Sequence, residues 1–248
     1  MKKHFAELIM AFVMLICFYL LSGKAADTAR EILNPSSQEK LILVDAGHGG
    51  ADPGMVGIGE LKEKDINLQV SMKLKSALEE RGFTVIMTRE SDTGLYEKGT
   101  VNLKAQDLQN RIGMIRKYQP ALSISVHQNS YSDGKVCGPQ VFYYEDSREG
   151  EELADAIQNQ LNEKLQVERP REIKGNRSYY MLKRSPGIIN IVECGFLTNP
   201  GEAELLQTEE YQQKVADAIA EGVVTYLNGN SGKQKYSLGV TEKNIHFL

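Results

Sequence analysis

Short apolar runs alternate along this chain with stretches in which apolar residues recur at helical spacing. Leu41-Ile42-Leu43-Val44 is too short for a helix, and Gly47-His48-Gly49-Gly50 with Asp52-Pro53-Gly54 closes it, so it predicts a buried strand entering a turn. From Glu63 onward, Ile66, Val70, Leu74, Ala77 and Leu78 share one helical face, which Gly82 ends. Phe83 to Thr88 reads as the second strand, and a strand–helix–strand unit of this length predicts parallel pairing across a crossover helix. Residues 90–103 are polar and read as a surface loop. Lys104 to Tyr118 predicts a helix with Ala105, Leu108, Ile112 and Ile115 inward, stopped by Pro120.

The pattern continues to the C-terminal region. Leu122 to Val126 alternates as a strand and runs into His127-Gln128-Asn129, and Gln140 to Tyr144 is a strand behind Gly138-Pro139. Glu151 to Leu165 reads as a helix with Leu153, Ala156, Ile157 and Leu161 inward. A basic stretch from Arg169 to Arg177 follows, then a short strand at Tyr179 to Leu182. Ile188 to Val192 is an apolar strand ending at Glu193. Thr198 to Glu202 opens a short helix, and Tyr211 to Leu227 forms the last one. The sum is a single α/β domain with a mostly parallel or mixed central sheet flanked by helices. It occupies residues 40–228, with 229–248 as a loose C-terminal tail.

Composition narrows the class only slightly. Of 248 residues, 25% are charged and 41% hydrophobic, ordinary for a domain with a real core, and the net charge of -4 gives no reason to expect nucleic acid. The first 26 residues change the picture more. Lys2 and Lys3 precede an apolar stretch from Leu8 to Leu21, and small residues follow it, as in a signal peptide or signal anchor. Residues 27–39 then read as a linker. The protein is therefore expected to be exported across the membrane, touching it only through this segment. Bulky Ile16 before Cys17 speaks against lipidation, and Cys137 and Cys194 read as unpaired small hydrophobes.

The chemistry gathers at strand ends. Four histidines exist, and the two inside the domain, His48 and His127, both follow strands, as does Glu193. In an open α/β sheet, ligands bind beyond the carboxyl ends of the strands, where residues distant in sequence meet. Glu63, at the start of the first crossover helix, lies within reach of the same edge. Glycine on both sides of His48 lets the backbone turn sharply and keeps bulk from the imidazole. A Gly-rich turn with an incidental His and a phosphate loop are the bland alternatives, but no Gly-Lys-Ser/Thr follows. Two imidazoles and a carboxylate make a catalytic zinc set with a position left for water. A further carboxylate is needed as general base and proton donor, and Glu193 fits. Capping or surface roles for Glu193 and Glu63 are the competing reading.

These residues sit in stretches that resemble the zinc-dependent N-acetylmuramoyl-L-alanine amidases. Val44-Asp45-Ala46-Gly47-His48-Gly49-Gly50, Glu63-Lys64, Thr88-Arg89, Ser123 to Asn129, and Val192-Glu193-Cys194-Gly195-Phe196-Leu197-Thr198-Asn199-Pro200 carry the resemblance, in order, over about residues 40–228. It implies one zinc ion held by His48, Glu63 and His127, with Glu193 as catalytic acid/base. It also implies cleavage of the amide between the lactyl group of muramic acid and L-alanine of the stem peptide, so that glycan strands and stem peptides are the partners. Asn129 and Arg111 also sit at favoured positions, Asn129 as a candidate for orienting substrate or His127, Arg111 as a candidate substrate contact or structural partner. Gln128 and Cys194 depart from the family pattern without removing a ligand.

An export segment joined to a bare catalytic domain resembles the spore-cortex amidases, which prepare muramic lactam for germination. Vegetative wall turnover suits the same design. Between His127 and Glu193 the pattern leaves only a strand, one helix and a short strand, which predicts an open groove and leaves room for an accessory activator protein. A zinc carboxypeptidase and a wall-binding pseudoenzyme are the rival readings. The first lacks a motif for a free carboxylate, and the second is at odds with the retention of all four groups.

Overall fold

The computed structural model describes residues 40–97 and 99–239, with 230–239 by backbone alone. The export segment, the linker and Cys17 lie outside the described residues. Within them the elements run β1 (Leu41–Ala46), α1 (Glu63–Glu80), β2 (Thr84–Met87), α2 (Leu103–Tyr118), β3 (Leu122–Asn129) and β4 (Gln140–Tyr144). Then come α3 (Arg148–Lys164), β5 (Lys174–Asn176), α4 (Tyr180–Arg184), β6 (Ile189–Phe196), α5 (Pro200–Leu205) and α6 (Glu209–Gly239).

The six strands form one mixed sheet in the order β2-β1-β3-β6-β4-β5. β1 pairs in parallel with β2 and β3, as the crossover pattern requires, and β3 pairs in parallel with β6. β4 is antiparallel to β6 and parallel to β5. Alternation along the strands separates two cores. Ile42 and Val44 face a core shared with Val70 and Leu74 of α1, Leu153 and Ile157 of α3, and Val215 and Ile219 of α6. Leu43 faces the other core, built from Ile112 and Ile115 of α2, Met181 and Leu182 of α4, and Ile189 and Ile191. Helices thus cover both faces and leave the strand ends free.

Helix termini follow local chemistry. The Asn102 side chain accepts from the Ala105 amide at 3.1 Å, Ser147 from Gly150 at 3.0 Å, and Asn199 from Glu202 at 3.0 Å. Gln119 closes α2 in the left-handed region before Pro120. At α1, loop carbonyls replace a capping side chain: the Glu63 and Lys64 amides donate to Met55 and Pro53 at 2.9 and 3.1 Å. That ties the loop after β1 to the helix carrying Glu63.

Three elements differ from expectation. Where a strand was expected at Tyr179 to Leu182, only Tyr179 is extended and Tyr180–Arg184 is a helix, because Met181 and Leu182 turn together into the core beside α2. The extra strand is instead Lys174–Asn176, inside the basic stretch, pairing with β4. The last helix continues from Glu209 to Gly239, through residues where a loose tail was expected. Cys137 is exposed, Cys194 is buried, and both are free thiols.

Candidate active site

β1 delivers a loop whose carbonyls are gripped from behind. Asp45, buried at the end of β1, accepts from the Thr88 and Ser125 hydroxyls at 2.8 and 2.5 Å and from Arg111 Nη1 at 2.5 Å. Arg111 continues to the Ala46 and His48 carbonyls at 2.8 and 2.7 Å, while Asp107 accepts from its Nε. Arg89 donates to the Ala46, Gly47 and Lys64 carbonyls at 2.9, 3.0 and 2.8 Å. Burial works to raise the Asp45 carboxyl, but the Arg111 charge and the Ser125 hydroxyl outweigh it and hold it at about 2. Arg111 is 1% exposed and its Nε, Nη1 and Nη2 all donate within the fold, which fits a structural partner; it also lines a small pocket with His48, Asp52 and His127.

The grip fixes His48 with φ of 61°, in the left-handed region that side chains seldom adopt. His48 Nδ1 donates to Asp52 Oδ2 at 2.9 Å, and His48 Nε2 lies 3.1 Å from Glu63 Oε2. His127 Nδ1 lies 2.9 Å from Glu63 Oε1. The two imidazoles stand edge to face with ring centres 5.0 Å apart. Glu63 is anchored by the Met55 amide at 2.8 Å, the Gln128 amide at 3.2 Å and Asn67 Nδ2 at 3.3 Å. Gln128 in turn donates to Asn67, so this departure from the family pattern supports Glu63, while Cys194 points into the core.

Two glycines make room, though not where the sequence reading placed the crowding. A Cβ on Gly47 would run into the His127 ring, and one on Gly54 would meet Glu63 Oε2 and His48 Cδ2 at 2.5 and 2.7 Å. Gly49, by contrast, faces Thr93 and Arg89 rather than an imidazole.

Ligand atoms of His48, Glu63 and His127 all lie within 4.8 Å of one another, a donor set of two imidazoles and one carboxylate suited to zinc. Glu193 is brought beside them because β3 and β6 pair His127 directly with Glu193. Its Oε2 is buried without a hydrogen-bond partner among the described residues. Burial pushes the Glu193 carboxyl up to about 7, with the charges of His127 and His48 opposing and that of Glu63 adding. An orphaned acceptor of this kind, facing three converging ligands, fits a site that receives a cation and a polar reactant. For His48, burial lowers the pKa, but Glu63 and Asp52 raise it to about 9; His127 and then His48 hold Glu63 far below the usual carboxylate range against its own burial.

The cleft over this cluster has a volume of about 370 Å³ and is lined by His48, Glu63, His127, Asn129, Tyr179 and Glu193, among others. His48 and His127 keep 18% and 20% of their side chains exposed there, in keeping with an open groove. Asn129 lines the cleft, its Oδ1 accepting from the Ser130 amide at 2.8 Å. Sequence reasoning assigned no role to Asp52, Asn67 or Arg89. Only the Asp-Pro-Gly turn flagged the first, and Asn67 lies one helical turn after Glu63 with nothing else to mark it.

Residues 42–225 match the family described as N-acetylmuramoyl-L-alanine amidase. The chain is 37% identical over 231 residues to the germination-specific N-acetylmuramoyl-L-alanine amidase of Bacillus subtilis (strain 168), covering 91% of this chain and 95% of that protein. Among solved structures it resembles the CwlD amidase from Clostridioides difficile in complex with the GerS lipoprotein, with a TM-score of 0.75 and 37% identity, over 77% of this chain and 99% of that one. The N-acetylmuramoyl-L-alanine amidase AmiC2 of Nostoc punctiforme aligns with a TM-score of 0.68 and 30% identity, over 77% of this chain and 99% of that one.

Proposed function

The chain belongs to the N-acetylmuramoyl-L-alanine amidase family, and from that premise we propose that it hydrolyses the amide between the muramic lactyl group and L-alanine, using one zinc ion held by His48, Glu63 and His127. The observation that carries this reading is the buried, unpartnered Oε2 of Glu193 beside those three groups. Zinc bound there supplies a Lewis acid for the hydrolytic water and the scissile carbonyl.

The protein's own groups do the rest. Asp52 accepts from His48 Nδ1 and thereby leaves Nε2 directed at Glu63 and the ligand position. Glu63 is held by three donors, so its carboxylate cannot swing into the groove. Glu193, titrating near 7, accepts a proton from the attacking water and passes it to the departing alanine nitrogen. Its partner-free oxygen means that no internal hydrogen bond must break first.

We place the activity in spore cortex maturation, where removal of stem peptides precedes muramic lactam formation. The likeness to a germination-specific amidase across 91% of the chain supports this over vegetative turnover. The protein acts after export through its N-terminal segment. The solved CwlD amidase is in complex with a lipoprotein, which supports an accessory protein here as well. The test is zinc-loaded protein on purified peptidoglycan, with mass spectrometry of the products. Stem peptides beginning with L-alanine are expected, and Glu193→Gln should release none. Release of D-alanine, or intact wall at full zinc occupancy with sporulating-cell extract added, would sink the reading.

A further inference from the structure

Beside the catalytic cleft lies a second cavity of about 440 Å³, and Asn129 and Tyr179 line both, so the two form one continuous groove. Its far wall is the basic stretch after α3. Arg177 in that stretch is taken up by Glu145 at 3.1 Å and Asp146 at 2.7 Å. Arg171 and Lys174 line the cavity instead. The Arg171 guanidinium lies over the Phe196 ring at 5.2 Å, its Nε donating to Gln140 at 3.3 Å, and Lys174 Nζ lies 5.8 Å from the Phe142 ring centre. The nearby Glu202 carboxylate is already occupied by the Phe196 and Gly138 amides, both at 2.9 Å. Among the described residues, neither cation has a carboxylate within salt-bridge distance. Two cations braced on aromatic faces around an open cavity make a site for an anion.

Position selects which anion. His127 pairs with Glu193 but Asn129 pairs with Phe196, so β6 carries one extra residue between the catalytic position and the cavity. A bulge takes up the extra residue, so Glu193 and Phe196 stand apart by roughly the two-residue rise of β3, about 7 Å. Two residues of extended substrate beyond the scissile amide also reach about 7 Å, which brings the second residue to the mouth of the cavity where Arg171 and Lys174 stand. N-acetylated sugars are neutral, whereas the second stem residue, a γ-linked glutamate, keeps its α-carboxyl free unless the wall amidates it. We propose that Arg171 and Lys174 form a carboxylate subsite that reads the residue following L-alanine in the stem peptide. This inference rests on the amidase reading above and adds the direction in which substrate lies: peptide toward β4 and β5, glycan toward the opposite end of the cleft.

The experiment compares two muropeptides that differ only in whether that carboxyl is an acid or an amide, using zinc-loaded full-length protein. For the wild type, kcat/KM should favour the acid by about tenfold, carried in KM. Combining Arg171→Gln with Lys174→Gln should bring the ratio near one. Lys174 is exposed, so Lys174→Glu keeps the fold and should turn the preference toward the amide. A wild-type ratio near one, or a ratio that neither variant moves, overturns the subsite. If the wild type cleaves neither muropeptide even with sporulating-cell extract added, the amidase reading falls, and NMR titration with the free L-Ala-γ-D-Glu peptide decides the subsite alone. Saturable binding lost in Lys174→Glu supports it; binding that ignores both substitutions, or none at millimolar peptide, overturns it.

Discussion

His48 holds a backbone conformation costing about 1–3 kcal/mol for a residue with a side chain, and that strain persists because Arg111 grips its carbonyl and Asp52 its ring. The Asp52 contact orients the imidazole without touching the ligand position. Asp52→Ala is therefore expected to weaken zinc binding by about 10–100-fold with little change in fold, as competition with a chelating dye would report. Glu193→Gln should do the reverse: zinc content unchanged, turnover down by about 10²–10⁴-fold. Protonation links to the same residue. In metal-free protein the His48 pKa stands at about 9, above its usual 6.5, so its ion pairs stabilise the fold fully below 6.5 and that contribution disappears as pH rises through 9. Zinc requires the neutral ring, so its affinity should climb with pH up to about 9. Calorimetry at pH 7 in two buffers of different ionisation enthalpy should find a proton released on binding; buffer-independent heats would contradict this.

At the level of elements, β1 and α2 are joined by one buried ion pair, Asp45 with Arg111, both at most 2% exposed. Removing one member strands the other, so Arg111→Met should destabilise the fold by about 3–5 kcal/mol in urea titration and loosen the His48 loop as well. The Asp45 carboxyl sits at about 2 against an ordinary 3.8, so its stabilisation is complete above 3.8 and lost as pH falls through 2. An Asp45→Asn variant should lack that acid limb. Elements were legible where period and length agreed: α1 repeats its apolar face over five turns, β1 is a compact apolar run and β3 alternates with period two. They were illegible where neither held. Tyr179 to Leu182 is too short to separate helix from strand by periodicity, and only the pocket beside α2 decides it. Lys174-Gly175-Asn176 has no apolar residue at all and is a strand only because β4 offers it an edge.

Across the whole molecule, the three candidate ligands come from the loop after β1, the first residue of α1 and the end of β3, so they converge only in the folded chain. Zinc should therefore act as a folding ligand: at free zinc 1,000 times Kd, stability rises by about 4.1 kcal/mol, and chelation should lower the melting temperature. The cluster itself was readable because His48 and His127 both follow strands and Glu63 opens the crossover helix at the same edge. The support behind it was not, since Asp52, Asn67 and Arg89 are residue types found anywhere and acquire meaning only from which carbonyl or ring they reach. One feature of the sheet also fixes an order in time. β6 lies between β3 and β4, yet it follows both β4 and β5 in the chain. During translation His48, Glu63 and His127 emerge well before Glu193, and the strand bearing Glu193 is made only after the strands on both sides of it. A chain ending before Ile189 would hold the three candidate ligands but lack both the strand that joins β3 to β4 and the carboxylate proposed to move the proton.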